Sequence, residues 1–200
     1  MDDKYRKIVE IFKEHNGYAR SKDILANGIH SRNIKNALEE GLITKVKNGI
    51  YRLSDTPVIS SQSLVDISYA IPEGIICMLS ALSYYELTTF NPSVISVAIH
   101  RKSWKPKIEY PPVEIYYFST KQFEAGIETI TVAGHKVRIY SPEKTICDCI
   151  RYRSKLGLDI AKEGLKEYLK RKNRNLEKLL DYAEICRVKP LLQEWLNVLV

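Results

Sequence analysis

Thr44-Lys-Val-Lys-Asn-Gly-Ile-Tyr-Arg-Leu53 is the stretch on which the reading of this chain turns. Asn48-Gly49 separates two short extended runs. Asn-Gly is the favoured two-residue type I′ turn, because both of its central residues need positive φ. Such a turn predicts a register with Lys47 opposite Ile50, Val46 opposite Tyr51, Lys45 opposite Arg52 and Thr44 opposite Leu53. Side chains alternate along a strand, so Val46, Tyr51 and Leu53 are expected on one face and Lys45, Lys47 and Arg52 on the other. Directly opposed cations repel each other, and a nearby polyanion relieves that repulsion.

Upstream of the hairpin, Tyr5, Ile8, Val9 and Phe12 recur at helical spacing and predict an amphipathic helix ending near Asn16-Gly17. Ser21 is expected to cap a short second helix carrying Ile24 and Leu25, stopped by Asn27-Gly28. Ser31 is expected to cap a third helix with an apolar stripe of Ile34, Ala37 and Leu38. Its other face shows Arg32, Asn33, Lys35 and Asn36, with Glu39 and Glu40 at the far end. Three short helices followed by a basic hairpin spell a winged helix-turn-helix. In that motif the third helix enters a major groove, where Arg pairs with guanine edges and Asn with adenine edges. Arg32, Asn33 and Asn36 are therefore the candidate base contacts. Ser31, Lys35, Lys45, Lys47, Asn48 and Arg52 are the candidates for holding phosphates.

The composition agrees with a polyanionic partner. The chain has 200 residues, 44% of them hydrophobic, and a formal net charge of +7. The first 53 residues carry 11 basic and 7 acidic side chains, so a quarter of the chain holds more than half of the excess. Four cysteines (Cys77, Cys147, Cys149, Cys186) lack CxxC spacing and are expected as reduced, buried thiols. The four histidines are too scattered to complete a zinc site, so no metal or cofactor is expected. No signal-peptide core or membrane-length apolar run is visible, which points to a cytoplasmic protein with no membrane partner.

The hairpin closes a first domain over residues 1–53. A polar, Pro-containing stretch at 54–63 reads as a linker, and 64–200 as a second domain. Within it, Leu64–Ala70 predicts a short helix, and Ser80 is placed to cap another running through Leu87. Extended runs follow at 94–100, 113–118, 126–132 and 136–140, the last two reading as a hairpin around Ala133-Gly-His135. From Ser141, an N-cap with Pro142 behind it, the pattern turns helical with three successive apolar stripes. The fold class is α+β: a winged helix-turn-helix, then a domain with an antiparallel sheet and carboxy-terminal helices packed on one side.

Two further basic segments stand out. His100-Arg-Lys-Ser-Trp-Lys-Pro-Lys107 has four cations (Arg101, Lys102, Lys105, Lys107), no acid and one Trp. It reads either as a phosphate-tracking loop or as a solvated loop whose Trp caps the core. Residues 151–174 hold nine basic and three acidic side chains, with Lys162, Lys166 and Lys170 at four-residue intervals on one helix face. A solvated face explains such a stripe, and a second anionic surface, DNA or RNA, is the alternative.

Three stretches resemble the AbiEi family, the antitoxins and transcriptional regulators of bacterial type IV (abortive infection) toxin–antitoxin pairs. They are Gly17-Tyr-Ala-Arg-Ser-Lys-Asp-Ile-Leu25, Gly28-Ile-His-Ser-Arg32 and Gly41-Leu-Ile-Thr-Lys-Val-Lys-Asn-Gly-Ile-Tyr51. In the second domain, Leu79-Ser-Ala-Leu-Ser-Tyr-Tyr-Glu-Leu87 and Val137-Arg-Ile-Tyr-Ser-Pro-Glu-Lys-Thr-Ile-Cys-Asp148 resemble the family's segments. His30 departs from the pattern, standing between the Ile and Ser that many members place side by side. The resemblance implies a repressor of its own operon, bound to inverted repeats in double-stranded DNA. It also implies that residues 64–200 form an antitoxin domain that counteracts a nucleotidyltransferase-like toxin without a stable complex.

No Walker loop, nucleophile elbow or spaced carboxylate set supports an enzyme. Cys147 and Cys149 lie two apart on a helix and point away from each other. The competing reading is a winged helix used for protein docking, or a generic repressor with no toxin.

Overall fold

The computed structural model describes residues 3–55, 61–108 and 110–199. The first unit comprises α1 (Asp3–Glu14), β1 (Tyr18–Arg20), α2 (Ser21–Ala26), α3 (Ser31–Glu39), β2 (Ile43–Lys47) and β3 (Ile50–Leu53). The strands pair antiparallel in the order β1-β3-β2, which is the winged helix-turn-helix. After α1 the chain turns through Asn16 and Gly17, both at positive φ. Ser21 and Ser31 are the first helical residues rather than caps. Arg20 and His30 occupy the N-cap positions, and neither helix has a side-chain cap. One face of the sheet, with Ala19, Ile43 and Leu53, packs on Ile8, Phe12, Ile24, Ile34 and Ala37.

The register of the hairpin departs from expectation. Lys47 does face Ile50, but Lys45 faces Tyr51, Thr44 faces Arg52 and Ile43 faces Leu53, with a bulge between Lys45 and Lys47. One extra residue on the first strand reverses every orientation beyond it. The predicted Lys45–Arg52 cation pair therefore does not form. Val46 leaves the face of Tyr51 and Leu53 and is buried instead against the second domain. Lys45 and Arg52 end on opposite faces of the wing.

The second unit begins with α4 (Gln62–Ala70), so the end of the expected linker is already helix, and Gln62 is buried. Residues 56–60 of that linker lie outside the described residues. Then come β4 (Ile75–Ile76), α5 (Met78–Tyr84), β5 (Ile95–His100), β6 (Val113–Phe118), α6 (Thr120–Glu124), β7 (Ile127–Val132) and β8 (His135–Tyr140). The helices α7 (Pro142–Arg151), α8 (Arg153–Leu156), α9 (Leu158–Leu169), α10 (Leu176–Ile185) and α11 (Lys189–Leu199) complete it. The sheet order is β6-β5-β4-β8-β7. The α+β class and the carboxy-terminal helices stand as expected. The antiparallel arrangement holds for β4/β5 and β7/β8, whereas β5/β6 and β4/β8 run parallel.

Local chemistry explains several of these elements. Ala133 and Gly134, at φ 49 and 82, form the two-residue turn between β7 and β8. The Ser141 side chain accepts from the Lys144 backbone N–H with Pro142 in the first turn, as expected of that cap. Ser80 lies inside α5, where its hydroxyl accepts from the Ser96 backbone N–H at 2.9 Å. It staples α5 to β5 instead of capping a helix.

Alternation along the strands gives the sheet two apolar faces. Ile75, Ala98, Tyr116, Phe118 and Tyr140 meet α5, α7, α9, α10 and α11. Ile76, Val97, Ile99, Val137 and Ile139 meet α4, with Leu64, Val65 and Ile67, and beyond it Tyr18 and Val46 of the winged helix. Helices thus cover both faces, not one, and the first unit docks on the face that the carboxy-terminal helices leave open. Tyr18 and Val46 share a continuous hydrophobic cluster with the second unit.

Candidate nucleic-acid interface

Helix α3 buries Ile34 and Ala37 and turns Ser31, Arg32 and Lys35 to solvent, with Asn33 and Asn36 half-buried at its edges. The side chain of Arg32 has no ion-pair partner among the described residues. Lys35 lies 3.7 Å from Glu39 one turn on, a surface contact worth little in water. At the wing, Lys45 and Asn48 are exposed. The Ser21 backbone N–H donates to the Gly49 carbonyl at 2.9 Å, which holds the wing tip against the first turn of α2. Exposed Arg20 and Lys22 flank that contact. Sequence reading missed this pair, although two cations bracketing Ser21 were the available signal.

Lys47 and Arg52 are placed differently from the other candidates. The Lys47 ammonium donates to the Ala70 carbonyl at the end of α4, at 2.9 Å. The Arg52 guanidinium stands 3.7 Å from the carboxylate of Asp66 on α4, with both side chains largely buried. Arg52 Nε has no hydrogen-bond partner among the described residues, so the pair is held by charge rather than by a formed bond. Both cations face the junction between the units, and the bulge turns Lys45 alone to the other face of the wing.

That junction is a polar network inside an apolar seam. The Tyr18 hydroxyl donates to Asp66 Oδ1 at 2.6 Å, and Gln62 donates to the same hydroxyl. The rings of Tyr18 and Tyr69 stack at 4.5 Å, and His135 meets both edge-on. A carbonyl only accepts, so His135 Nε2 carries the proton it donates to the Asn16 carbonyl at 3.0 Å, while Nδ1 meets the Tyr69 hydroxyl at 3.1 Å. Burial and the Asp66 carboxylate hold the Tyr18 phenol protonated well above the ordinary tyrosine range. Asp66 was legible in sequence as a lone acid in an apolar helix, but its partners, distant along the chain, were not.

The remaining basic segments lie apart. Arg101, Lys102, Lys105 and Lys107 are exposed on the loop between β5 and β6, and Trp104 is 95% exposed, so it does not cap the core. Lys162, Lys166 and Lys170 are exposed on α9, which packs with α7 on the other side of the central sheet. Lys162 sits 5.7 Å from the Trp195 ring and Lys170 is 2.6 Å from Glu167, contacts consistent with a solvated face.

A second unforeseen feature lies in α7. Lys144 and Asp148, wholly buried, form an ion pair with contacts of 2.7 and 2.6 Å, the ammonium over the rings of Phe118 and Tyr140. Burial opposes the charge on Lys144, yet the carboxylate against it outweighs that cost and the amine titrates above its ordinary value. The four cysteines are free and buried, and burial pushes the thiols of Cys77, Cys147, Cys149 and Cys186 up. No group of three or more His, Cys, Asp or Glu side chains among the described residues is placed to hold a metal ion. No described helix is long and apolar enough to cross a membrane.

The arrangement defines a winged-helix chain with a docked α+β domain. Residues 6–54 match the family described as transcriptional regulator, AbiEi antitoxin, and the chain is AbiEi-like over that winged helix. The match covers the first unit and leaves the second outside it. The RV2827C protein from Mycobacterium tuberculosis has a similar fold, with a TM-score of 0.63 over 98% of this chain and 82% of that one, at 10% identity. No curated protein matches the chain.

Proposed function

We propose that this AbiEi-like regulator is a repressor that binds inverted repeats in the DNA upstream of its own operon, with α3 in the major groove and the wing on the flanking backbone. The observation that carries the reading is the exposed row on α3, Arg32 and Lys35 flanked by Asn33 and Asn36, opposite a face buried in the domain core. Arg32, Asn33 and Asn36 read base edges, while Ser31, Lys35, Lys45 and Asn48 hold phosphates. Lys47 and Arg52, which the sequence placed with this group, instead tie the wing to α4. In the same reading the second domain counteracts a nucleotidyltransferase-like toxin without forming a stable complex, in the cytoplasm.

The test is a gel-shift titration of the chain against its own upstream DNA and against a scrambled duplex. A shift confined to the upstream fragment, lost with Arg32→Ala, supports the reading. No shift of either fragment rejects it in favour of a protein-docking module, and equal affinity for both, unchanged by that substitution, rejects α3 as the reader of base edges.

A further inference from the structure

The wing and the loop between β5 and β6 face each other across a groove of about 880 Å³. Lys45, Lys47 and Asn48 line it from the wing, and Lys105, Lys107 and Tyr110 from the loop. Two basic segments far apart in sequence therefore form one surface. The cause lies in the fold. Parallel β5 and β6 cannot be joined by a tight hairpin, so a connection must return along the sheet, and it passes beside the docked wing. Ile108 of that connection packs against the same hydrophobic cluster as Val46 and Ile50, which fixes one wall relative to the other.

Among the described residues that line the groove, every charge is positive. Lys45, Lys105 and Lys107 are exposed and none has an ion-pair partner among the described residues. Arg101 and Lys102 extend the cationic run along the loop. Like charges held close together by a rigid frame favour an anion that can lie along them, and a phosphate backbone supplies one at every nucleotide. The lining holds cations and a single aromatic ring, not the successive rings on which single-strand binders stack bases.

We infer that this groove takes the sugar-phosphate backbone of duplex DNA beside the segment read by α3, so that the second domain is part of the DNA-binding surface. The inference rests on the DNA reading of the winged helix and adds affinity rather than sequence preference, because phosphate contacts carry no base information.

The test uses the whole chain and two probes: a duplex of about 30 bp, near three helical turns, taken from the upstream DNA, and one strand of it alone. Fluorescence anisotropy is followed across a salt series for the wild type, Lys105→Ala/Lys107→Ala, Lys162→Ala/Lys166→Ala and Lys45→Ala, with circular dichroism confirming that each is folded. The two double variants lose the same charge, so only position distinguishes them. Loss of two phosphate contacts flattens the log–log salt slope on duplex by about two units for Lys105→Ala/Lys107→Ala. The α9 double variant keeps the wild-type slope. Equal slopes for the two double variants overturn the inference, as does a wild-type preference for the single strand. If Lys45→Ala weakens duplex binding while the loop variant does not, the groove is refuted and the winged-helix reading stands. Absence of any duplex binding by the wild type refutes both.

Discussion

Tyr18 of β1 donates its hydroxyl hydrogen to Asp66 of α4 at 2.6 Å, and this bond fastens the winged helix to the second domain. Asp66 is 3% exposed, and its charged neighbour, Arg52, stands too far away for a hydrogen bond. Tyr18→Phe keeps the stacked ring over Tyr69 but takes the donor from a buried carboxylate. The expected cost is about 1–3 kcal/mol, read as a lower urea midpoint. An unchanged midpoint means the junction does not depend on this bond.

Arg32 and Lys47 are expected to separate in a binding assay. Arg32→Ala costs about 1–3 kcal/mol on the upstream DNA and relaxes preference at one base position, as loss of a bidentate contact does. Lys47→Ala, whose ammonium is engaged with the Ala70 carbonyl, leaves the salt slope close to wild type. Lys45→Ala flattens it by about one unit. A Lys47→Ala slope as flat as that of Lys45→Ala shows that Lys47 leaves α4 to meet DNA.

The Lys144–Asp148 pair predicts a large asymmetry between single and double substitutions. Removing one partner strands a buried charge, so Lys144→Met is expected to destabilise by about 3–5 kcal/mol, whereas Lys144→Met/Asp148→Leu costs less than the single change. Chemical denaturation of the variants measures both. Additive losses show that the two groups act independently.

Gly126 has φ +71, and a Cβ there would stand 2.6 Å from Lys144 Cβ. The backbone conformation and the collision act together, because Lys144 is locked by Asp148 and cannot withdraw. Gly126→Ala is expected to cost more than about 1 kcal/mol from backbone strain alone. A melting temperature equal to wild type contradicts the packing around α7.

Alkaline pH is expected to unfold the chain. Burial, reinforced by Glu128, Glu114 and Asp148 respectively, raises the phenols of Tyr85, Tyr116 and Tyr140 well above the ordinary range. A group whose folded pKa is raised contributes stability that is complete below the unfolded pKa, about 10, and is lost as pH climbs above it. Tyrosinate absorbance followed with circular dichroism should show the phenols of Tyr85, Tyr116 and Tyr140 ionising only with loss of structure. A single smooth titration of all tyrosines in the folded state contradicts this burial.

Particular residues show where the sequence was sufficient. Ile8 and Phe12, the Asn16-Gly17 turn and the Ser141-Pro142 cap are each decided within a few residues, by helical spacing or a required φ, whereas at Asn48-Gly49 only Gly49 takes the positive φ that a type I′ turn needs at both positions. Arg32 and Lys35 were placed on the exposed side of α3 by the same spacing. The Val46 bulge was illegible because nothing local favours it. It brings Val46 into a cluster with Ile67 and Val97, which are distant along the chain. With it moved Lys45, which leaves the face it was expected to share with Lys47 and Arg52.

The amino-acid sequence by itself determined the winged-helix order, the α+β class and the polar face of the third helix, since each follows from short-range periodicity and turn geometry. Tertiary structure alone decided that the sheet is mixed and covered on both faces, which cations meet solvent, and that the β5–β6 loop lies beside the wing. Those outcomes depend on which apolar surfaces bury each other, and burial is a property of distant partners that neither partner's own segment encodes.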